Sequence, residues 1–333
     1  MAEGNRLLIV TRDRAGAAFR QRVDIYMPWL AARGIEAQVV ELAGSPIVRR
    51  RQWRMARRYG AILLQRKTLT AWDALALGRP RRLIYDFDDA VMFQARSPDE
   101  PHAGRMRRFE RTVRRADLVI AGSAILAERA RQSGAAAVSV VPTGLDARLF
   151  PQRTDYALTG GAVRLVWIGS RSTLRLLEPF RVMFDALGRA MPGFTLRVIA
   201  DGALSGVSLP VENVPWSLAE EGRRLAEADI GIAPLPDTPF TQGKCGFKIL
   251  QYMAAGLPVI ASPVGVQTEY VEPTVSGFWA ATPEEWIAAV RQLAGDAALR
   301  ERLGRAGRAR VEREFDAAVL GARFCDLVEK AIE

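Results

Sequence analysis

Short apolar runs alternate with helical patterns along almost the whole chain, and this constrains the fold more than any other feature. In the first half the runs are Leu7–Val10, Ala37–Val40, Ile62–Leu64, Leu83–Tyr85, Leu118–Ala121 and Val138–Val141. Segments such as Val23–Arg33 and Arg105–Arg115 separate them and read as helices. The second half repeats the plan, with strands at Arg164–Ile168, Leu196–Ala200, Ile230–Ala233 and Val259–Ala261, and a shorter one at Val211–Val214. Helices are expected there at Leu176–Ala190, Glu220–Glu227, Phe247–Ala255 and Pro283–Leu293, then a long tract over Ala297–Ile332. Strands too short and apolar to have a wet face, each followed by a helix, imply a parallel doubly wound sheet. The non-periodic stretch Pro142–Thr159 reads as a linker. The expected organisation is an N-terminal domain over 1–150 and a C-terminal domain over 151–333. Both are Rossmann-like α/β domains that face a cleft, with ligands at the strand C-termini.

Length and composition agree. The chain has 333 residues, of which 49% are hydrophobic and 25% charged, enough for roughly two domains of about 150 residues each. No apolar run approaches the roughly 20 residues of a spanning helix, and the N-terminus MAEGNRLLIV does not read as a signal peptide. Two cysteines make no disulfide framework, so a cytoplasmic setting is expected. A single histidine, His102, argues against a multi-histidine metal centre. The net charge of +10 is uneven: residues 1–150 hold 27 Lys/Arg against 15 Asp/Glu, and residues 151–333 hold 20 against 22.

The segment Gly243–Val264 reads as a glycine-bearing loop, a helix over Phe247–Ala255, a stop at Gly256 and Pro258, and a buried strand. Lys244 and Lys248 lie before and within the first helical turn, where the helix dipole disfavours cations. An anion held on the N–H groups of that turn removes the conflict, so Gly243–Lys248 reads as a phosphate site. No G-x-G-x-x-G follows a predicted strand, and no G-x-x-x-x-G-K-[ST] occurs.

Gly243–Val264 resembles the donor-binding segment of glycosyltransferase family 4, retaining enzymes of the GT-B fold, in a branch that reads G-K-C-G-F-K-x-L-Q-Y-M-A. The resemblance continues through Gly16–Arg20, Tyr26–Leu30, Tyr85–Ala90, Ala116–Ile120, Val141–Gly144 and Trp167–Ser170, with a weaker echo at Gly304–Arg308. It implies that the C-terminal domain binds a nucleotide-diphosphate sugar, UDP or GDP, that the N-terminal domain binds a glycan or lipid-linked acceptor, and that the last helix packs back on the N-terminal domain. Donor contacts carried over are Gly169, Ser170, Arg171 and Arg175 toward the diphosphate, Lys244, Gly246, Phe247 and Lys248 in the central loop, and Trp216 near the base. For single residues, solvated arginines at 171 and 175 and a core tryptophan at 216 remain open. Gly16 and Arg20 approach from the acceptor side. The family usually carries two glutamates at the positions of Gly243 and Gln251; glutamine retains an acceptor and two donors, glycine neither.

Asp86-Phe87-Asp88-Asp89 suggests a metal motif, but that motif belongs to a one-sheet glycosyltransferase fold. Asp88 reads instead as an acceptor-binding or proton-handling carboxylate, or as the cap of a following segment. The implied reaction is metal-independent, hexosyltransferase-like transfer with retention, in polysaccharide biosynthesis. Lys248, Arg171 and Asp88 are its catalytic candidates. Rival readings are a nucleotide-sugar-binding protein without transferase activity, a nucleotide-sugar epimerase, and a basic RNA binder; the last lacks interleaved aromatic residues, so nucleic acid is not the expected partner. Arg49–Arg58, with Trp53 among its arginines, reads either as a solvated helix or as a contact to an anionic membrane, which would place the protein at the inner face of the membrane. The arginines of 105–115 carry the same two readings.

Overall fold

The computed structural model describes residues 6–158 and 162–333. Thr159, the end of the expected linker, lies outside the described residues. Two compact units emerge. Unit 1 comprises Met1–Leu145, Thr238–Cys245 and Ala317–Glu333, and unit 2 comprises Asp146–Asp237 and Gly246–Asp316. The division is thus less simple than one cut at 150: two later segments cluster with the N-terminal unit.

Unit 1 is built on β1 (Arg6–Thr11), β2 (Glu36–Glu41), β3 (Ala61–Gln65), β4 (Leu83–Phe87), β5 (Leu118–Ala121) and β6 (Val138–Val140). They form one sheet in the order β2-β1-β3-β4-β5-β6, and every pairing is parallel. Strands β3, β4 and β5 are buried throughout, as expected when helices cover both faces. One face packs Ile62, Leu64, Tyr85 and Phe87 against Trp53, Leu77 and Phe109. The other packs Ile9, Leu63 and Ile84 against Phe19, Tyr26 and the C-terminal helix Ala317–Ile332, through Leu320, Phe324 and Val328.

Unit 2 holds β7 (Arg164–Ile168), β8 (Thr195–Ala200), β9 (Val211–Pro215), β10 (Ile230–Ala233), β11 (Val259–Ala261) and β12 (Gly277–Trp279). Their order is β12-β11-β10-β7-β8-β9, again all parallel. Both units are therefore doubly wound and Rossmann-like, with the order reversing between β1 and β3 in one and between β7 and β10 in the other.

Three expectations need correction. First, Leu176–Ala190 is not one helix. Pro179 lacks an N–H, and the chain runs as a 3-10 turn over Arg175–Phe180 before the helix Arg181–Ala190. Second, the tract from Ala297 is interrupted by a π turn at Val311–Phe315 and an extended Asp316. Third, Trp53 is not at an interface. The helix Pro46–Ala56 buries Trp53 completely, and its indole N–H donates to Asp73 Oδ1 at 3.1 Å. The exposed stripe carries Val48 and Met55 instead. β12 is an element the periodicity did not announce.

Candidate functional site

In unit 2 the strand-order reversal falls between β7 and β10, whose backbone pairing ends at Gly231↔Val166. The helix Phe247–Ala254 is anchored at that divergence. The Tyr252 hydroxyl accepts from Ile168 N (3.0 Å) and donates to Ile232 O (3.1 Å), so it bridges the separating strands. A side chain at Gly231 would meet the Tyr252 ring at 2.5 Å, so glycine is what lets the helix approach. Burial pushes the Tyr252 phenol far above its usual range and keeps it a neutral donor.

The helix begins at Gly246, which is left-handed with φ 63°. A Cβ there would also lie 2.8 Å from Val266. The first N–H groups of the helix have no acceptor within it, and its dipole favours an anion there. Lys248 stands in this first turn with its Nζ 5.3 Å from the centre of the Trp167 ring on β7. The same ring packs under Gly169, where a Cβ would come within 2.4 Å. Gly169 and Lys248 thus meet at the C-terminal end of the reversal strand. Gln251 is only 5% exposed, and its amide makes no hydrogen bond among the described residues.

The other donor candidates are held differently. Ser170 caps the short helix Arg171–Leu174. Arg171 donates from Nε (3.1 Å) and Nη2 (2.8 Å) to the carbonyl of Asp201, while its backbone N–H bonds the Asp201 carboxylate. Arg175 folds back on Ser172 O at 2.9 Å. Trp216 is 38% exposed and not in the core; its indole N–H donates to Glu221 Oε2 at 2.8 Å.

Gly243, Lys244 and Cys245 cluster with unit 1. Lys244 Nζ bonds both carboxylate oxygens of Asp89, at 3.0 and 3.1 Å, and lies 4.2 Å from the Phe240 ring centre. A Cβ at Gly243 would fall 2.7 Å from Ala90 Cβ and 3.2 Å from Leu126. Glycine at 243 is therefore what packing against Ala90 and Leu126 allows.

Around the Asp88-Asp89-Ala90 segment is a network in which Asp88 and Lys244 were the site residues anticipated from sequence. Arg66, just past β3, adopts φ 54°, rare for a side-chain-bearing residue. Its Nη2 reaches Asp89 Oδ2 at 2.9 Å, and its Nε lies 3.4 Å from Asp88 Oδ1. Burial acts to raise the Asp89 carboxyl, but Lys244 and Arg66 outweigh it and hold the group below the usual carboxylate range. Asp86, fully buried, is bridged by both Nε and Nη2 of Arg22, whose Nη1 donates to Val141 O at 2.5 Å. Burial pushes the Asp86 carboxyl up, against the pull of Arg22. These carboxylates are committed to cations, and among the described residues no group of three or more His, Cys, Asp or Glu is placed to hold a metal ion. No helix follows Asp88, so it is not a cap.

Buried atoms at or beyond the strand ends of this sheet that have no hydrogen-bond partner among the described residues include Gln65 Nε2, Thr143 Oγ1 and Asp88 Oδ1, the last in an ion pair with Arg66. The Gln65 oxygen is already engaged by the Thr11 hydroxyl at 2.9 Å, across the β1–β3 reversal. Gly16 begins the helix Ala17–Arg22 beyond β1, with Asp13 filling the space a Cβ would need. Arg20 donates to Ala15 O at 2.6 Å.

Residues 197–296 match the family model of group 1 glycosyl transferases. The match covers β9 to β12, the Phe247–Ala254 helix and the helix Pro283–Gly295. No curated protein matches the sequence. Solved structures match over nearly the whole chain and show the GT-B fold. Sucrose-phosphate synthase from Thermosynechococcus elongatus aligns with a TM-score of 0.74 at 16% identity, covering 98% of each chain. HepE from Anabaena, in complex with UDP and glucose, aligns at 0.74 and 18%, covering 98% of this chain and 99% of that one. An α-glucosyltransferase in complex with UDP-glucose and DNA containing an abasic site aligns at 0.65 and 12%, covering 97% and 99%.

Proposed function

We propose that the protein is a glycosyltransferase that takes a hexosyl group from a nucleotide-diphosphate sugar bound on unit 2. The observation that carries the reading is the start of the Phe247–Ala254 helix. A left-handed glycine, a lysine and a buried uncommitted glutamine converge there, at the strand-order reversal of a Rossmann-like sheet. The group 1 glycosyl transferase match over 197–296 supports it, as do the UDP and UDP-glucose complexes of structures that share the fold. UDP is the proposed nucleotide, with GDP the alternative.

In this reading the helix N-terminus and Lys248 stabilise the negative charge that develops on the leaving diphosphate. Gln251 donates its amide N–H or accepts at its oxygen on a donor hydroxyl. Arg171 shapes the Gly169-Ser170 loop through Asp201 and keeps Nη1 for phosphate. Lys244 supports the reaction indirectly by fixing Asp89. On unit 1, Asp88 Oδ1, held by its ion pair with Arg66, accepts from the acceptor hydroxyl, and Gln65 Nε2 donates to it, which gives the buried amide a partner. Retention follows from front-face attack, with the leaving phosphate taking the proton, and the cations make a metal unnecessary. The acceptor is a glycan or lipid-linked hydroxyl.

Titration calorimetry with UDP and UDP-glucose tests the donor site. Lys248→Ala is expected to weaken UDP by at least tenfold, as when a charged hydrogen bond is lost. Unchanged UDP affinity removes Lys248 from the diphosphate, and no binding of UDP or GDP by the wild type removes the reading itself.

A further inference from the structure

On unit 1 the helices Ala71–Leu77 and Ala103–Val113 border a groove of about 800 Å³. Ala71, Ala74 and Leu75 line one wall, and Arg107, Arg111 and Arg114 the other. Arg79 and Arg115 complete the lining, and Glu110 is its only carboxylate. Among the described residues none of these five arginines forms an ion pair, although the molecule has many elsewhere. Three of the five are nonetheless held by backbone carbonyls. Arg111 donates to Leu69 O (3.2 Å), Arg114 to Ser133 O (3.1 Å) and Arg115 to Gly78 O. The groove therefore presents five guanidinium groups without ion pairs among the described residues, three of them ordered by a backbone carbonyl and each of these three retaining unused donors.

Its border is apolar. Leu75 is 79% exposed, and Trp72 on the same helix is 38% exposed. The helix Pro46–Ala56 packs alongside, with the Arg49 guanidinium 5.6 Å from the Trp72 ring centre, and leaves Ile47 71% exposed. An RNA or DNA duplex would engage the arginines but offer nothing to Leu75 and Ile47, and a single strand would find one aromatic side chain to stack on. A bilayer with anionic headgroups satisfies both parts: phosphate oxygens accept from guanidinium, aliphatic side chains enter the acyl boundary, and a tryptophan sits at headgroup level. Among the described residues no helix is long and apolar enough to cross a membrane, so such a contact would be peripheral.

We propose that this face of unit 1 seats on an anionic bilayer, with lipid phosphates in the arginine groove and Leu75 and Ile47 inserted beneath them. This differs from a contact through Arg49–Arg58 alone, whose tryptophan is buried. It stands on the surface of unit 1 and is independent of the transferase reading.

Vesicle flotation of the full chain tests it. The wild type should float with vesicles containing phosphatidylglycerol and not with phosphatidylcholine alone. Each of Arg107→Gln and Arg114→Gln should lower partitioning about fivefold, the usual effect of one basic residue at such a surface. Leu75→Glu should abolish flotation, while Val182→Glu, at an exposed site on unit 2, should leave it unchanged. Flotation unaffected by the groove substitutions overturns the proposal. Equal flotation with neutral vesicles does too, as does tighter capture of a short RNA duplex than of the charged vesicles.

Discussion

At the scale of single residues, the site depends on atoms placed where their chemistry is otherwise unsatisfied. Tyr252 is the clearest case. Its hydroxyl serves an N–H of β7 and a carbonyl of β10, two groups that diverging strands cannot offer each other. Tyr252→Phe leaves both buried and unpaired, so urea unfolding should show a loss of about 1–3 kcal/mol. A change below about 0.5 kcal/mol, the range of a neutral surface substitution, would show that the hydroxyl is not what joins the strands. Gly243 illustrates the opposite constraint. Read along the chain, it is a missing glutamate; in the fold it is the residue that fits against Ala90. Lys244 likewise looks like a phosphate ligand by position, yet its charge is spent on Asp89.

At the scale of elements, the Phe247–Ala254 helix is supported from behind by a glycine-spaced helix. Gly304 and Gly307 on Ala297–Arg310 pack on Gly256 O and Met253, where Cβ atoms would fall at 2.0 and 3.0 Å. Arg308 then donates to Phe150 O at 2.8 Å and to Ala254 O, satisfying a carbonyl at the helix end. Gly304→Ala forces the two helices apart and should cost about 1–3 kcal/mol, as overpacking does. Gly295→Ala has nothing within 4 Å of the new methyl group and should cost nothing. Equal melting temperatures for the two variants would show that close helix approach is not required. The strands were legible because each is a short run of branched apolar residues between helical patterns. β12 escaped because three residues, Gly-Phe-Trp, carry no periodicity.

At the scale of the whole molecule, acid stability is set by carboxylates that folding commits to cations. Asp73 is fully buried, and its carboxylate accepts from Lys67 Nζ (2.8 Å), the Trp53 indole and the Thr70 backbone N–H, with Arg49 an ion-pair partner at 2.8 Å. Burial disfavours its charge, but these donors outweigh burial and hold the carboxyl at about 2, below its ordinary 3.8. A depressed folded-state value means stability that is present above about 3.8 and lost as pH falls through about 2. The amount is on the order of 2 kcal/mol at about 1.4 kcal/mol per pH unit. Between pH 5 and 2 the wild type should therefore lose stability faster than Asp73→Asn in guanidinium melts. Parallel curves for the two proteins would remove Asp73 from the acid transition.

The order of apolar runs and helical patterns was enough to specify two parallel, doubly wound sheets, because burial on both faces leaves a short strand no other composition. The glycine and lysine pattern from Gly243 was enough to place a loop and a helix start there, and the anion site proposed at that start rests on N–H groups that any helix start exposes. Which lysine is paired with a carboxylate and which stands at the helix start beside an aromatic ring was decided only in three dimensions. Lys244 and Lys248 look alike along the chain, but one falls beside Asp89 and the other beside Trp167. Arg66 and Gln65 on unit 1, and Tyr252 on unit 2, went unnoticed in the sequence for the same reason: their contacts depend on partners from other segments of their own unit, and no local pattern encodes such a partner. Trp53 was misread because a helix has two sides, and the core it faces is assembled from residues far away in sequence.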